Sequence, residues 1–233
     1  MVANDSAPAY PIFLSLAHCR CLVAGLGEVG QRKLAGLLAC QPAAVLALDI
    51  VPYEALSPEA KSLLAHECVS YACRPCELAD ITSSDLVFAA TGNPEENLRI
   101  ADFCRQANVW CNCASAPEAG TVTLPAVARH EGLAVALSTG GASPALSRRW
   151  RHELENWLAP RARMVRFMRA LRPLVLAMKA DTRQNTALFR LIAASPLQEW
   201  LAAGKKAQCR QWLLKHLPAT LHAHIAELLD DNT

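Results

Sequence analysis

The stretch Cys21-Leu-Val-Ala-Gly-Leu-Gly-Glu-Val-Gly30 decides the fold of this chain. Its first four residues form an apolar run typical of a buried strand, and Gln31-Arg-Lys-Leu-Ala35 is typical of a helix. A strand, a glycine turn and a helix in this order present the first N–H groups of the helix to a pyrophosphate. We expect Gly25 to make the turn, Gly27 to admit the phosphates and Gly30 to bring the helix close to the strand.

An acidic residue follows at the spacing that a dinucleotide requires. The apolar run Ala44–Leu48 ends in Asp49, 22 residues after Gly27. A carboxylate about 20 residues after the glycines binds the adenosine ribose, and it repels the 2′-phosphate of NADP. The pattern therefore predicts NAD. The alternative is a helix N-terminus after a buried strand with no ligand, because glycines also form ordinary turns.

The N-terminal half alternates strands and helices, which predicts an α/β fold with a Rossmann-like parallel sheet and helices on both faces. Asn93 and Pro94 suit the cap and the first turn of a helix. We expect the ligand crevice at the carboxyl ends of the strands, near Gly25–Gly30 and Thr91–Asn93. The predicted strands are residues 20–24, 44–48, 67–72, 85–90 and 109–113, and the predicted helices are residues 30–40, 57–66 and 95–107.

The pattern changes after Ser115. Two strand-like runs, residues 121–128 and 133–138, flank a turn at residues 130–132, and a glycine loop, Thr139–Pro144, opens a helix. Beyond Pro160 the pattern is helical, with interruptions expected at Pro173, Pro196 and Pro218. We expect three parts: a nucleotide-binding domain at residues 1–115, a small β-containing segment at 116–147 and a helical domain at 148–233.

Composition limits the class of protein and its compartment. No apolar run among the 233 residues is long enough to span a bilayer, and residues 1–11 lack the basic residues of a secretory signal. We therefore expect a cytoplasmic protein with reduced thiols. The cysteines at 73, 76, 104, 111 and 113 are interpreted as core or incidental residues, with a metal or redox site as the alternative.

The net charge of +2 hides an asymmetry. Residues 1–147 carry a net charge of −6, and residues 148–233 carry +8. Arginines recur about every three residues at positions 163, 166, 169 and 172, and apolar residues lie between them, so an amphipathic helix with a basic face is predicted. Such a face serves an acidic substrate, a nucleic acid or merely solvent.

Several further motifs carry a resemblance to a known family. The chain resembles the precorrin-2 dehydrogenases, which include stand-alone enzymes, dehydrogenase/ferrochelatases and the N-terminal part of siroheme synthases. The most selective match is Ser138-Thr-Gly-Gly-Ala-Ser-Pro144 after Ala114-Ser-Ala-Pro117. The resemblance covers about residues 10–158. It includes Tyr10–Leu14, which corresponds to the family's short lead-in strand.

The resemblance implies NAD-dependent oxidation of precorrin-2 to sirohydrochlorin in siroheme biosynthesis. It also implies a homodimer that exchanges strands, with a helical tail lining the tetrapyrrole cleft; the carboxylates of precorrin-2 match the basic region. No nucleic-acid or membrane partner and no metal are expected. The expected cofactor-binding residues are Gly25, Gly27, Glu28, Val29, Gly30, Asp49, Ile50 and Thr91. The expected substrate-binding residues are Asn112, Ser138, Thr139, Gly140, Gly141, Ser143 and Arg148, although Ser143 also suits a helix cap.

One position departs from the family pattern. Members with both dehydrogenase and chelatase activity have an acidic residue, regarded as catalytic, where this chain has Asn93. Asparagine cannot act as a general base, so we expect dehydrogenation to survive and ferrochelatase activity to be weak or absent. Two alternatives stay open: a non-catalytic dimeric scaffold that binds NAD, and a redox-responsive regulator whose basic helices bind DNA.

Overall fold

The structure, a computed structural model, describes residues 9–178 and 181–230. The chain divides into two compact units, Met1–Leu124 and Pro125–Thr233. The first unit is an α/β domain. The second unit consists of a hairpin followed by helices.

The first unit is built on a five-stranded parallel sheet. Its strands are β1 (Arg20–Ala24), β2 (Ala44–Asp49), β3 (Val69–Cys73), β4 (Leu86–Ala89) and β5 (Trp110–Cys113). Its helices are α1 (Glu28–Leu38), α2 (Pro58–Leu64), α3 (Leu78–Thr82) and α4 (Pro94–Ala107). The strand order is β3-β2-β1-β4-β5. The direction of winding therefore reverses between β1 and β4, where ligands bind in open α/β sheets.

Alternate side chains of β1 enter different cores on the two faces of the sheet. Val23 packs with Leu34 of α1 and with residues of α2 in one core. Leu22 packs with Ile100 of α4 and with Ile81 of α3 in the other. Both faces of the central strand are buried, which explains why its sequence is continuously apolar instead of alternating.

The second unit begins with the antiparallel hairpin β6 (Ala126–His130) and β7 (Leu133–Leu137). The α-helices that follow in the described residues are α5 (Pro144–Leu158), α6 (Ala162–Ala177), α7 (Thr182–Ala193), α8 (Leu197–Ala202), α9 (Lys206–His216) and α10 (Ile225–Leu228). The buried face of α6, with Phe167 and Leu171, packs against Leu197, Leu213 and Ile225 of the later helices. Because these apolar residues recur at helical spacing, the helices converge on one core.

The predicted fold class is confirmed, and so are its main elements. The parallel sheet, the small antiparallel sheet and the helical C-terminal region are all present. The short helix α3 was not predicted. It begins with a reciprocal capping box in which the side chains of Glu77 and Asp80 accept backbone N–H groups. Glu77 and Asp80 mark the start of this helix. Its five residues are too few to show a helical period of apolar residues.

Three local predictions were wrong. The strand expected at 121–128 begins only at Ala126. Before it, the N–H groups of Thr121 and Val122 both donate to the Cys111 carbonyl, and Pro125 has no N–H group that could form a hydrogen bond between strands. Pro173 lies inside α6 without ending it, on an exposed side where water can bind the carbonyl that the ring leaves unpaired. Tyr10–Leu14 forms no strand and is exposed.

Candidate dinucleotide-binding site

The glycine turn after β1 is shaped by two close approaches of the backbone. Gly25 has a φ of +97°, and an added Cβ atom would lie 2.4 Å from the Ala90 carbonyl oxygen. At Gly30 an added Cβ would lie 1.8 Å from the carbonyl oxygen of Gly25. Only glycine fits either position. The first glycine therefore packs against the chain leaving β4, and the third lets α1 pack against the turn.

Gly27 differs from both, because the space above it is open. An added Cβ there would meet no atom within 4 Å. Gly27 is the N-cap of α1 and offers no side chain to the helix, so the N–H groups of the first turn receive no cap from it. Glu28 and Val29 follow and are exposed. An open, uncapped helix start with a positive dipole end is an anion site, and it fits the pyrophosphate of a dinucleotide.

Asp49 connects the glycine turn to the end of β2. Its carboxylate accepts hydrogen bonds from the N–H of Leu26 at 2.5 Å and from the N–H of Val51 at 3.0 Å. A carboxylate has further acceptor positions beyond these two, which leaves it able to bind ribose hydroxyls. Ile50 beside it is 74% exposed. An acid at the strand end and an apolar side chain beside it match the adenosine half of a dinucleotide.

The chain leaving β4 is organised by a residue that the sequence did not single out. Asn97 of α4 is buried, and its Oδ1 lies 2.9 Å from the N–H and 2.7 Å from the hydroxyl of Thr91. Its Nδ2 donates to the Thr91 carbonyl at 3.1 Å and contacts the Ser115 hydroxyl at 3.2 Å. Asn97 therefore joins the ends of β4 and β5. The signal was available: Asn97 is a polar residue on a helix face that is otherwise apolar.

Asn93 caps α4, as the sequence predicted. Its Oδ1 accepts from the N–H of Glu95 at 2.9 Å and of Glu96 at 3.4 Å. Asn93 is exposed and lies at the carboxyl edge of the sheet. Its backbone nitrogen lies 3.3 Å from the Thr91 hydroxyl. The Asn93 amide thus has a structural role and also borders the crevice.

Gln31 was also missed. It lies on the first turn of α1, where its Nε2 donates to the Leu26 carbonyl at 2.7 Å. Ser57, the N-cap of α2, reaches its Oε1 at 3.5 Å. Gln31 therefore fixes the carbonyl side of the turn, whereas Asp49 fixes the amide side. No sequence spacing indicates the contact between Gln31 and Ser57, because it depends on the place of α2.

Asn112, an expected substrate-binding residue, is buried in β5 and donates to the Val122 carbonyl at 2.8 Å. It holds the segment that leaves the first unit. The other expected substrate-binding residues lie in the second unit, in the loop after β7 and on α5. In the loop, the Ser138 hydroxyl accepts from the Gly140 N–H, and Gly140 and Gly141 have φ values of +60° and +83°. The hydroxyls of Thr139 and Ser147 lie 3.1 Å apart, which joins the loop to α5. Ser143 caps α5 by accepting from the Leu146 N–H, and Arg148 is exposed.

The cysteines singled out by spacing lie mainly in the core. Cys76, Cys104, Cys111 and Cys113 are all buried, and Cys73 is exposed. Burial raises the pKa of the Cys76 thiol to about 12, helped by the nearby Asp80 carboxylate, so this thiol is not activated as a nucleophile. Within residues 9–178 and 181–230, no group of three or more His, Cys, Asp or Glu side chains is placed to hold a metal ion. The part of the chain that the structure describes also has no helix long and apolar enough to cross a membrane.

Topology and glycine geometry together define a Rossmann-type dinucleotide-binding protein. The comparisons agree: residues 12–126 match the family model described as "Putative NAD(P)-binding". The chain is 30% identical over 213 residues to the siroheme synthase of Thioalkalivibrio sulfidiphilus, and these residues make up 91% of this chain and 42% of the relative. Siroheme synthase 1 of Aeromonas salmonicida is 32% identical over 86% of the chain and 42% of its own length. The chain therefore belongs to the siroheme synthase and precorrin-2 dehydrogenase family, as its motifs predicted.

A solved structure shows the same fold. The precorrin-2 dehydrogenase SirC superposes with a TM-score of 0.67 at 18% identity, over 95% of this chain and 98% of that one. The chain spans less than half the length of the siroheme synthases above.

Proposed function

We propose that this protein oxidises precorrin-2 to sirohydrochlorin with NAD as the hydride acceptor. The observation that carries the proposal is the glycine turn and Asp49, a dinucleotide site in a chain 30% identical to a siroheme synthase over 91% of its length. The fold shared with SirC supports it. The bound nicotinamide supplies the hydride chemistry, and the protein has to bind and orient both reactants.

The described residues indicate how the cofactor is held. The open helix start at Gly27, with the backbone of Glu28 and Val29, binds the pyrophosphate. Asp49 and Ile50 bind the adenosine half, and the Asp49 charge selects NAD against NADP. Gly25 and Gly30 contribute indirectly, because they allow the tight turn and the close packing of α1 that form the site. Thr91 borders the nicotinamide end, held in place by the buried Asn97.

The substrate is a polycarboxylate, and the second unit is basic. We propose that Ser138, Thr139, Gly140, Gly141, Ser143 and Arg148 bind the tetrapyrrole. We propose that Asn112 contributes by holding the segment that leaves the first unit. Arginine binds carboxylates in bidentate pairs. Because long-range attraction between exposed charges is screened by salt, the KM for precorrin-2 should rise steeply with ionic strength. A KM that does not change with salt would exclude electrostatic attraction of the substrate.

Chelation should be weak or absent. Asn93 occupies the position of the family's acidic residue, and its Oδ1 already accepts two backbone N–H groups. An amide cannot remove pyrrole protons. We expect Asn93→Asp to gain ferrochelatase activity while it keeps the helix cap. A wild-type protein that already inserts iron rapidly, with no gain in the variant, would contradict this proposal.

We also propose a homodimer, formed through the 116–147 segment and α5. Every residue of α5 is described, and only Leu158 of the fifteen is buried. Leu146, Trp150 and Trp157 are exposed on one helix face, and the neighbouring sheet has two strands among the residues that the structure describes. Trp150→Glu should yield a monomer by sedimentation analysis. Leu176→Glu, at an exposed position of α6, is the matched control.

The activity is tested by anaerobic incubation with enzymatically prepared precorrin-2. NAD-dependent formation of sirohydrochlorin is the expected result, and ferrous ion is added afterwards to measure chelation separately. Binding of NAD without oxidation would instead favour the scaffold or regulator. We also propose a cytoplasmic location, where the ten cysteines would stay reduced.

A further inference from the structure

The second unit contains a cavity of about 320 Å³, and none of its lining residues is among those proposed above to bind the cofactor or the substrate. Small-molecule sites span roughly 300–1,000 Å³, so this cavity suits a small ligand or one arm of a larger one. Three arginines of α6 line it, Arg163, Arg166 and Arg169, together with apolar residues that include Phe167 and Leu229. All of these residues belong to the second unit.

Each arginine is positioned by a different neighbour. Arg163 donates to the Leu201 carbonyl at 3.1 Å. Arg166 pairs with Glu131 at 3.1 Å, at the tip of the β6–β7 turn. The Arg169 guanidinium lies against the next residue of that turn, because a Cβ added at Gly132 would be 2.8 Å from its Nη2. The hairpin and α8 thus bring three cationic groups to one opening.

Among residues 9–178 and 181–230, the charged side chains at the cavity leave a positive excess. The acids among these residues are Asp230 in the lining, which pairs with Lys206 at 3.5 Å, and Glu131, which pairs with Arg166. One wall is apolar, and its accessible part consists of Ala170, which is exposed, and Leu201, which is half-buried. An apolar wall lowers the local dielectric constant and so strengthens ion pairs with the arginines. Inorganic phosphate would leave that wall uncovered, whereas an organic carboxylate would use both halves of the site.

We propose that this cavity binds the carboxylate of an organic anion whose apolar body packs on Ala170 and Leu201. Two sources have this chemistry, a carboxylate arm of a tetrapyrrole and a separate small carboxylate. Arginine binds either one through paired N–H donors. The affinity for such an anion is measured in the absence of catalysis, so the test does not depend on the proposed reaction.

The test uses the full chain with coproporphyrin as a fluorescent probe. Arg169→Gln removes one cation, and Ala170→Glu places a carboxylate on the cavity wall. Arg210→Gln and Ala177→Glu are matched controls at exposed positions outside the cavity. We expect the probe to bind about five- to tenfold more weakly to Arg169→Gln, as the loss of one charged hydrogen-bonding pair predicts, and more weakly still to Ala170→Glu. Both controls should stay within about twofold of wild type.

Competition with 3-phenylpropionate identifies the source. Displacement of the probe at the cavity indicates a site for small carboxylates, and the absence of displacement indicates a tetrapyrrole arm; both agree with the proposal. Equal probe affinity in Arg169→Gln, Ala170→Glu and their controls would overturn it. So would displacement by inorganic phosphate as effective as that by 3-phenylpropionate. Precorrin-2 oxidation is assayed separately on the same proteins, so that failure of the reaction and failure of this site are distinguished.

Discussion

The two units of the molecule build their proposed binding surfaces in opposite ways. In the first, the site is made from backbone: Gly25 and Gly30 fit where no side chain could, and Gly27 leaves a helix start open. In the second, the basic cavity is made from side chains of α6 that other elements position. A backbone site is encoded by a few adjacent residues, whereas a side-chain site depends on distant segments meeting. The two should therefore respond differently to single substitutions.

The largest effect is expected at the third glycine. Gly30→Ala would place a Cβ 1.8 Å from the Gly25 carbonyl oxygen, so it should lower the free energy of unfolding by about 3 kcal/mol or more and abolish NAD binding. Gly36→Ala is a control in the same helix, with no atom within 4 Å of the added Cβ. It should raise stability by about 0.5–1 kcal/mol. Denaturant unfolding and NAD titration measure both, and equal stability of the two variants would refute the close approach.

The next effect is expected at Asp49. Asp49→Asn keeps one acceptor oxygen but removes the charge that binds the Leu26 and Val51 N–H groups. The Kd for NAD should rise about tenfold, and the preference for NAD over NADP should narrow. Asp102→Asn, an exposed position on α4, should leave both dissociation constants unchanged. A variant that kept full preference for NAD would show that another residue selects the cofactor.

A smaller effect should depend on pH. Burial raises the pKa of the Cys76 thiol from about 9 to about 12. Between these values the unfolded chain loses the thiol proton and the folded chain keeps it, so stability is full below pH 9 and falls as pH rises. The slope from this thiol is at most about 1.4 kcal/mol per pH unit. Cys76→Ala should flatten the alkaline decline of stability, whereas Cys73→Ala, at an exposed position, should not.

The smallest effect is expected at the helix cap. Asn93→Ala removes the acceptor of the Glu95 and Glu96 N–H groups and should cost about 1 kcal/mol. Asn93→Asp should cost almost nothing, because aspartate caps equally well. Thermal unfolding of the three proteins separates the cap from any chemical role. A loss in both variants would mean that the amide nitrogen of Asn93 also contributes to stability.

The sequence predicted the first unit well because its signals are local. The apolar strand, the glycines and Asp49 lie within 30 residues, and the capping residues Asn93 and Pro94 are adjacent. It did not predict what topology alone brings together. Ala90 lies against Gly25 only because β4 pairs with β1, and Asn97 reaches Ser115 only because β5 pairs with β4.

In the second unit the period of the arginines predicted α6 correctly but not its contacts. Glu131 and Gly132 were expected to form a turn, and nothing in their sequence indicates that the turn holds Arg166 and Arg169. Pro173 illustrates the same limit. Proline disfavours a helix interior, yet an exposed position and the buried residues on either side of it, Leu171 and Val175, keep α6 continuous.

A single-turnover measurement under anaerobic conditions tests most directly whether the nucleotide site serves precorrin-2 oxidation. Protein saturated with NAD is mixed with a limiting amount of precorrin-2, and NADH and sirohydrochlorin are followed together. We predict that NADH and sirohydrochlorin form at the same rate and in equal amounts, and that NADP supports much slower formation. Sirohydrochlorin formed at the uncatalysed rate, or formed without matching NADH, would contradict the proposal that this nucleotide site serves precorrin-2 oxidation.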